Sequence, residues 1–142
     1  MRIVIDSTVL IDIERKNKET LDLVKSLLAN NEELIISTVT ISEVLTGVYY
    51  IGKREGLLDA RTVLAQFSPV ALDAEIADKT AQFVAFLLKN GSHVDFKDVA
   101  IAATFAVTKS DFLLTENKKH FEVIPEIGSK ALTISELKKI YK

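Results

Sequence analysis

The alternation of short apolar runs with amphipathic segments is the feature that most constrains the fold of this chain. Five runs have the length and composition of buried strands, and they lie at 2–5, 34–36, 70–72, 112–114 and 131–134. The segments between them carry the i, i+3, i+4 apolar spacing of helices, as in 20–29 and 73–90. Because strands that alternate with helices pair in parallel, the sequence predicts an α/β/α sandwich with a mainly parallel, about five-stranded sheet.

Two segments add detail to this prediction. The stretch between the runs at 34–36 and 70–72 has room for two helices, near 38–52 and 55–66. Residues 98–108 are almost wholly apolar, which predicts a helix buried on most sides. The 142 residues are most simply one domain, 1–142, that is large enough to bury its own core.

Composition excludes several classes of protein. The chain has no cysteine, which excludes disulfides, zinc–thiolate sites, iron–sulfur clusters and cysteine nucleophiles and fits a reducing cytoplasm. No apolar stretch approaches the roughly 20 residues that a membrane helix needs, so we expect no membrane association. The net charge is −2, so contacts with nucleic acid must come from bound metal or from the local basic clusters at 15–18, 53–54 and 118–119.

Three acidic residues lie where apolar segments begin or end. Asp6 directly follows the first run, whereas Glu43 and Asp98 precede apolar helical segments. Open α/β sheets bind ligands at the carboxyl ends of their strands, so we expect these carboxylates to converge there. Carboxylate oxygens are the ligands that Mg²⁺ and Mn²⁺ prefer, and such a site hydrolyses phosphodiesters without a protein nucleophile. Without metal, the clustered acids would repel one another and raise at least one pKa.

Each acid also has a purely structural interpretation. Asp6 and Asp98 are residues of the type that caps helix N-termini. Glu43 ends the tetrapeptide TISE at 40–43, which has the form of a capping box. The same tetrapeptide recurs at 133–136, where Glu136 is most naturally a cap. The tetrapeptide alone therefore cannot separate a catalytic glutamate from a structural one.

A fourth polar group follows the run at 112–114. Asn117 offers a direct or water-mediated ligand, and Glu116 offers a full carboxylate. The alternative is a plain strand-to-helix turn in which Thr115 or Asn117 is the cap. Nearby, His120 follows two lysines and is predicted to lie on a basic surface rather than to act as a base.

Four segments together resemble the PIN-domain nucleases, specifically the VapC toxins of bacterial and archaeal toxin–antitoxin pairs. Residues 3–11 (IVIDSTVLI) are similar to the opening strand and acid of that family, and residues 41–47 (ISEVLTG) to its second conserved segment. Residues 98–103 (DVAIAA) match the family's D-x-x-I-A-A helix start, and residues 114–121 (LTENKKHF) match its L-x-T-x-N/D-x-x-H/D-F segment. The segments occur in order, with suitable spacing, over nearly the whole chain.

The resemblance implies a function and a set of site residues. The metal-binding acids of the family fall at Asp6, Glu43 and Asp98 of this chain, and the fourth acid falls at Asn117. Because asparagine is a weaker ligand than aspartate, Glu116 is the alternative fourth ligand. The implied protein is a Mg²⁺- or Mn²⁺-dependent endoribonuclease toxin that acts on RNA, is held inactive by a cognate VapB-like antitoxin and forms a homodimer.

Two other functions stay open at this point. The first is a PIN-type nuclease of rRNA maturation or RNA decay that has no antitoxin. The second is a catalytically inactive PIN module that binds RNA or a protein. The negative net charge and the asparagine at position 117 support the second.

An antitoxin is predicted to insert an arginine or lysine toward Asp6 and Asp98, since bidentate arginine–carboxylate pairing is strong. Its remaining contact would be an apolar helix in a groove between the helices near 9–14 and 38–52, with Tyr49 and Tyr50 as anchors. The alternative is that both tyrosines are ordinary half-buried helix residues.

Overall fold

The five predicted strands form one sheet in a computed structural model, which describes residues 1–141. They are β1 (Arg2–Ile5), β2 (Glu33–Ser37), β3 (Ser68–Val70), β4 (Phe112–Leu114) and β5 (Ala131–Leu132). Their order is β3-β2-β1-β4-β5, and every pairing is parallel. The predicted α/β/α architecture is confirmed, with β1 at the centre of the sheet.

Helices fill the segments between the strands. They are α1 (Ser7–Glu14), α2 (Lys18–Ala29), α3 (Thr38–Ile51), α4 (Arg54–Leu64), α5 (Ala74–Lys89), α6 (Phe96–Val107), α7 (Lys118–Glu122) and α8 (Ile134–Ile140). A short 3₁₀ turn, Gly128–Lys130, precedes β5. Within residues 1–141, no helix is both long and apolar enough to cross a membrane.

The core has two layers, one on each face of the sheet. Successive side chains of a strand point to opposite faces, so Val4 packs with α5, α6 and α7. Ile3 and Ile5 pack instead with α1, α2 and α8. Both faces of β1 are therefore covered, as is usual for a parallel sheet, and Asp6 at its end starts from a fully buried strand.

Helix α6 is buried over most of its surface, as its apolar sequence predicted. All residues from Val99 to Phe105 are buried. The helix begins two residues earlier than its apolar run, because the Asp95 side chain accepts a hydrogen bond from the backbone N–H of Lys97 at 3.3 Å. Asp95 is therefore the cap, and Asp98 lies in the first helical turn.

Two predicted strand boundaries were wrong. Strand β3 lies at 68–70 rather than 70–72 and forms an edge of the sheet, where Pro69 is tolerated although it lacks an N–H donor. Strand β5 ends at Leu132 rather than at 134, because Thr133 leaves the sheet to cap α8. The Thr133 hydroxyl accepts from the backbone N–H of Glu136, and the Glu136 side chain accepts from that of Thr133.

Replacing Thr133 with alanine removes half of this capping box. We expect Thr133→Ala to lower the free energy of unfolding by about 0.5–2 kcal/mol, the usual cost of losing an N-cap side chain. Urea unfolding measures this loss. Thr62→Ala, at an exposed position of α4, is the matched control and should change stability by no more than about 0.5 kcal/mol. Equal stability of the two variants would contradict a capping role for Thr133.

Candidate active site

Two polar residues and the start of a helix lie where the three central strands of the sheet end. Asp6 follows β1, Thr115 follows β4, and α3 begins directly after β2. Helices α3 and α6 contact each other, and they carry Glu43 and Asp98 respectively. The predicted acids therefore lie at the carboxyl edge of a parallel sheet, the usual location of ligand sites in this architecture.

Asp6 is a buried carboxylate held by hydroxyl groups. The residue is 2% exposed. Its Oδ2 accepts hydrogen bonds from Thr115 Oγ1 at 2.7 Å and from Thr8 Oγ1 at 2.9 Å, and Ser7 Oγ lies 3.4 Å from Oδ1. Although Asp6 has the N-cap position of α1, its side chain makes no capping hydrogen bond. The capping interpretation of Asp6 is wrong, because the hydroxyl groups hold its carboxylate.

Thr115 is a site residue that the sequence analysis considered only as a turn cap. The sheet register pairs Ile5 with Leu114, so the next residues, Asp6 and Thr115, lie side by side. Thr115 Oγ1 also accepts from the backbone N–H of Asn117 at 2.9 Å. The available signal was a hydroxyl residue directly after β4, matching the acid directly after β1. It becomes informative only when the register is known.

Glu43 is not a cap. Helix α3 begins at Thr38, and the Ser37 side chain accepts from the backbone N–H of Val39 at 3.1 Å. Thr40 therefore lies within the first turn, and Glu43 follows it on the same side of the helix. The Glu43 carboxylate is half-buried, with Oε2 3.2 Å from Lys97 Nζ. Its Oε1 is buried and has no hydrogen-bond partner in the described part of the chain.

Asp98 is half-buried beside Asp6. Its Oδ2 lies 3.1 Å from His120 Nδ1. Burial raises the pKa of Asp98, the negative charge of Asp6 raises it further, and the hydrogen bond with His120 opposes both effects. The expectation that at least one of the clustered acids has a raised pKa is confirmed.

The two candidates for a fourth ligand lie in different surroundings. Glu116 Oε1 accepts from the backbone N–H of Ile134 at 3.0 Å, so this carboxylate binds the start of α8. Asn117 is exposed and precedes α7 without a side-chain capping bond. The Glu116 carboxylate is thus already engaged by the backbone, whereas the Asn117 side chain does not cap α7.

Two basic residues contact the acids, and neither was predicted to belong to the site. His120, predicted to lie on a basic surface, contacts Asp98. Lys97 contacts Glu43, whose hydrogen bond raises the pKa of Lys97 and keeps its ammonium protonated. Both contacts depend on packing between helices, α6 with α7 and α3 with α6, which local sequence does not encode.

In this conformation, no three His, Asp or Glu side chains of residues 1–141 are arranged to hold one metal ion. Glu43 and Asp98 instead have separate partners, Lys97 and His120. The donors nevertheless fit a divalent cation. They are carboxylate oxygens, one of them is buried without a partner, and the charge of Asp6 acts on Asp98.

Comparisons with known proteins agree with this geometry. The sequence matches the family model described as PIN domain over residues 3–127. It is 34% identical over 132 residues to Ribonuclease VapC1 of Methanocaldococcus jannaschii. The aligned region covers 91% of this chain and 85% of that protein.

Two solved structures share the fold. The crystal structure of VapBC2 from Rickettsia felis bound to a DNA fragment from their promoter has a TM-score of 0.82 at 19% identity, over 94% of this chain and 98% of that chain. A toxin–antitoxin complex from Klebsiella pneumoniae has a TM-score of 0.69 at 24% identity, over 93% and 97% of the two chains.

The raised pKa of Asp98 predicts how stability depends on pH. The folded metal-free protein holds the Asp98 proton more tightly than the unfolded chain does, so ionisation of Asp98 destabilises the fold. We expect Asp98→Asn to stabilise the protein at neutral pH in a chelator. This gain should disappear as the pH falls through the raised pKa of Asp98 toward its ordinary value.

Urea unfolding at several pH values measures the difference between the variant and the original protein. Asp59→Asn, at an exposed carboxylate of α4, is the matched control for an aspartate-to-asparagine change outside the acid cluster. An Asp98→Asn variant that was less stable by the same amount at every pH would contradict the raised pKa of Asp98.

Proposed function

Because the chain belongs to the PIN domain family, we propose that it is a divalent-metal-dependent endoribonuclease and the toxin of a toxin–antitoxin pair. One observation carries the proposal. The buried carboxylate of Asp6 is held by hydroxyl groups at the carboxyl edge of the sheet, its charge acts on Asp98, and Glu43 contacts Lys97, the neighbour of Asp98 in α6. Similarity to a protein named as a ribonuclease supports RNA as the substrate.

Asp6, Glu43 and Asp98 would hold Mg²⁺ or Mn²⁺, with Asn117 as a direct or water-mediated fourth ligand. The unpartnered Oε1 of Glu43 supports this set, since buried carboxylate oxygens are normally paired. Glu116 would have to leave the backbone N–H of Ile134 to join it. When bound, such a cation lowers the pKa of water and stabilises negative charge on the phosphate in the transition state.

The protein's own groups orient this site. Thr115 and Thr8 donate to the same oxygen of Asp6, which leaves Oδ1 as the oxygen with the weaker contact, 3.4 Å from Ser7 Oγ. Thr8 Oγ1 also accepts from the backbone N–H of Glu116 at 3.0 Å. This network joins the end of β1 to the end of β4, so the Asp6 carboxylate has one fixed direction.

One observation favours the alternative of an inactive binding module. Asn117 stands where the family resemblance expects an acid, and an amide binds a divalent cation more weakly than a carboxylate does. Purified protein that cleaved no RNA at any Mn²⁺ concentration, while still binding RNA, would favour this alternative. For an active nuclease, a short open reading frame directly upstream would distinguish a toxin from a nuclease of RNA maturation or decay.

A groove between α1, α3 and α4 suits an antitoxin. A cavity of about 720 Å³ lies between α1, α3 and α4, and its apolar walls include Ile13, Val48 and Val63. A smaller cavity of about 220 Å³ between α1 and α3 is lined by Ile11, Val44 and Glu43, so a cation inserted there would meet the carboxylate of Glu43. The likeness to a toxin–antitoxin complex supports this type of partner.

The predicted tyrosine anchors are exposed, but they line a separate cavity of about 710 Å³, together with Ile41 and Leu45, and not the groove beside α1. Tyr50 is 91% exposed and Tyr49 is 57% exposed, so the interpretation of both as half-buried residues is wrong. Arg61 Nη2 donates to the Tyr49 hydroxyl at 2.9 Å and fixes that ring. Tyr50 is the better anchor, because a partner would bury nearly all of it. The homodimer implied by the resemblance stays a prediction.

Glu43→Gln tests the enzyme, and Glu136→Gln is its matched control within an identical tetrapeptide. Glutamine keeps the size of the side chain but cannot supply an anionic ligand. We expect Glu43→Gln to reduce Mn²⁺-dependent RNA cleavage by at least about 10- to 100-fold, the loss that changes around metal ligands cause. Glu136→Gln should cleave normally, since an amide oxygen still accepts from the Thr133 backbone.

The two rates are compared with a labelled RNA at saturating Mn²⁺. Cleavage by both variants at the rate of the original protein would rule out Glu43 as a ligand. Loss of activity in both would point to a general effect of the mutations on the fold, which the unfolding midpoint of each variant would detect.

Competition between metal and antitoxin tests whether an antitoxin arginine or lysine pairs with Asp6 and Asp98. If it does, excess Mn²⁺ should weaken the inhibition of cleavage by the antitoxin. The measurement is the antitoxin concentration that halves the rate, at several Mn²⁺ concentrations. An inhibitory concentration that stays constant across the Mn²⁺ series would mean that the antitoxin blocks RNA elsewhere.

A further inference from the structure

Lys97 occupies a position that the proposed function does not yet explain. It lies in the first turn of α6, directly before Asp98. Its Nζ is 3.2 Å from Glu43 Oε2, so the pair joins α6 to α3 across the acid cluster. The Lys97 side chain is 48% exposed, whereas the carboxylate that it contacts is half-buried. The ammonium therefore stands at the rim of the site, between the acids and solvent.

The ion pair leaves the Glu43 carboxylate incompletely satisfied. Oε2 is bound by Lys97, but Oε1 is buried without a hydrogen-bond partner in the described part of the chain. A charged oxygen in that situation costs free energy that a cation on the interior side would recover. Lys97 therefore neutralises Glu43 from outside while the inner oxygen stays available.

A divalent cation among the acids would change the environment of Lys97. The Glu43 carboxylate would bind that cation, and the Lys97 ammonium would then lie beside a positive ion in place of an unbound carboxylate. Since like charges at this separation repel, the half-exposed lysine would leave Glu43. Its long, flexible side chain would keep the ammonium close to the site, where the phosphates of a bound RNA would be the nearest new anions.

We propose that Lys97 exchanges partners during the reaction: it neutralises Glu43 in the metal-free protein and binds an RNA phosphate once a divalent cation has taken that carboxylate. The proposal rests on the metal-dependent ribonuclease activity proposed above. It makes Lys97 both a competitor of the metal and a contact for the substrate.

Two other basic residues near the acids, Lys118 and His120, are less suited to this role. Lys118 Nζ is held by Glu136 at 2.7 Å, on the side of α8, and Glu136 is fixed in turn by the capping box. His120 contacts Asp98, but its ring has a shorter reach than a lysine side chain. Lys97 combines direct contact with an acid of the cluster, an exposed ammonium and a long stem.

A Mn²⁺ titration of thermal stability, without RNA, tests the first half of the exchange. Metal that binds the native state raises the unfolding temperature by mass action. Lys97→Met removes the competitor of the metal for Glu43. This variant should therefore reach half of its full stabilisation at a Mn²⁺ concentration about two- to fivefold lower than the original protein does, the range expected from the strength of an exposed ion pair.

The matched control is Lys79→Met. Lys79 also pairs with a glutamate, Glu126, but that carboxylate lies outside the acid cluster. This variant loses the same charge and should keep the Mn²⁺ midpoint of the original protein. Lys97→Arg retains a cation at the site and should also stay close to the original midpoint.

The salt dependence of KM tests the second half. A lysine that binds a phosphate adds about 0.7 to the slope of log affinity against log salt for single-stranded nucleic acid. Lys97→Met should therefore raise KM for RNA at low salt and reduce the slope of log KM against log salt by about 0.7. Lys79→Met and Lys97→Arg should leave that slope unchanged.

Each outcome has a distinct meaning. A lower Mn²⁺ midpoint together with a smaller salt slope supports the exchange. An unchanged midpoint, or a higher one, in Lys97→Met would overturn it, because Lys97 would then not compete with metal. An unchanged slope would overturn the phosphate contact. If the original protein showed neither Mn²⁺ stabilisation nor cleavage, the proposed function itself would fail, and the exchange with it.

Discussion

The burial of the Asp6 carboxylate is the constraint on which the site depends. A carboxylate at the end of a fully covered strand loses its hydration, and this costs several kcal/mol unless other donors replace the water. Here the hydroxyls of Thr8 and Thr115 replace it. Both must come from segments that directly follow strands, so the charge fixes how the turns after β1 and β4 meet. The geometry of the acid cluster follows from that one requirement.

The same constraint explains the arrangement of the other two acids. Asp98 is itself half-buried and lies near a carboxylate that cannot move away, so burial raises its pKa and the charge of Asp6 raises it further. Glu43 and Asp98 are less buried than Asp6, and each contacts a basic residue of its own, Lys97 or His120. The site therefore has one fixed acid at its base and two acids at its rim that can change partners. Such a division suits a site that must admit both a metal ion and a substrate.

The sequence predicted β1, β2 and β4 well because each contains an apolar run with a polar residue at or directly after its end. It placed β3 two residues too late, since the run at 70–72 is more apolar than Ser68 and Pro69, which form the strand only because β2 offers an open edge. Asp6 and Asp98 were predictable from strand and helix ends. The partners Lys97 and His120 were not, because they reach the acids through contacts between helices that are separated along the chain.

The two copies of TISE illustrate why a local motif does not fix the role of a residue. At 133–136 the preceding residues are apolar, so Thr133 is the first side chain able to cap α8, and Glu136 completes the box. At 40–43 the strand ends in Ser37, which caps α3 three residues earlier. Ser37 and Thr40 could each cap α3, and the use of Ser37 decides the role of Glu43. A helix that starts at Thr38 places Thr40 inside its first turn. Glu43 is thereby released from capping, and its carboxylate lies on the side of α3 that contacts α6, where an acid can face Asp98.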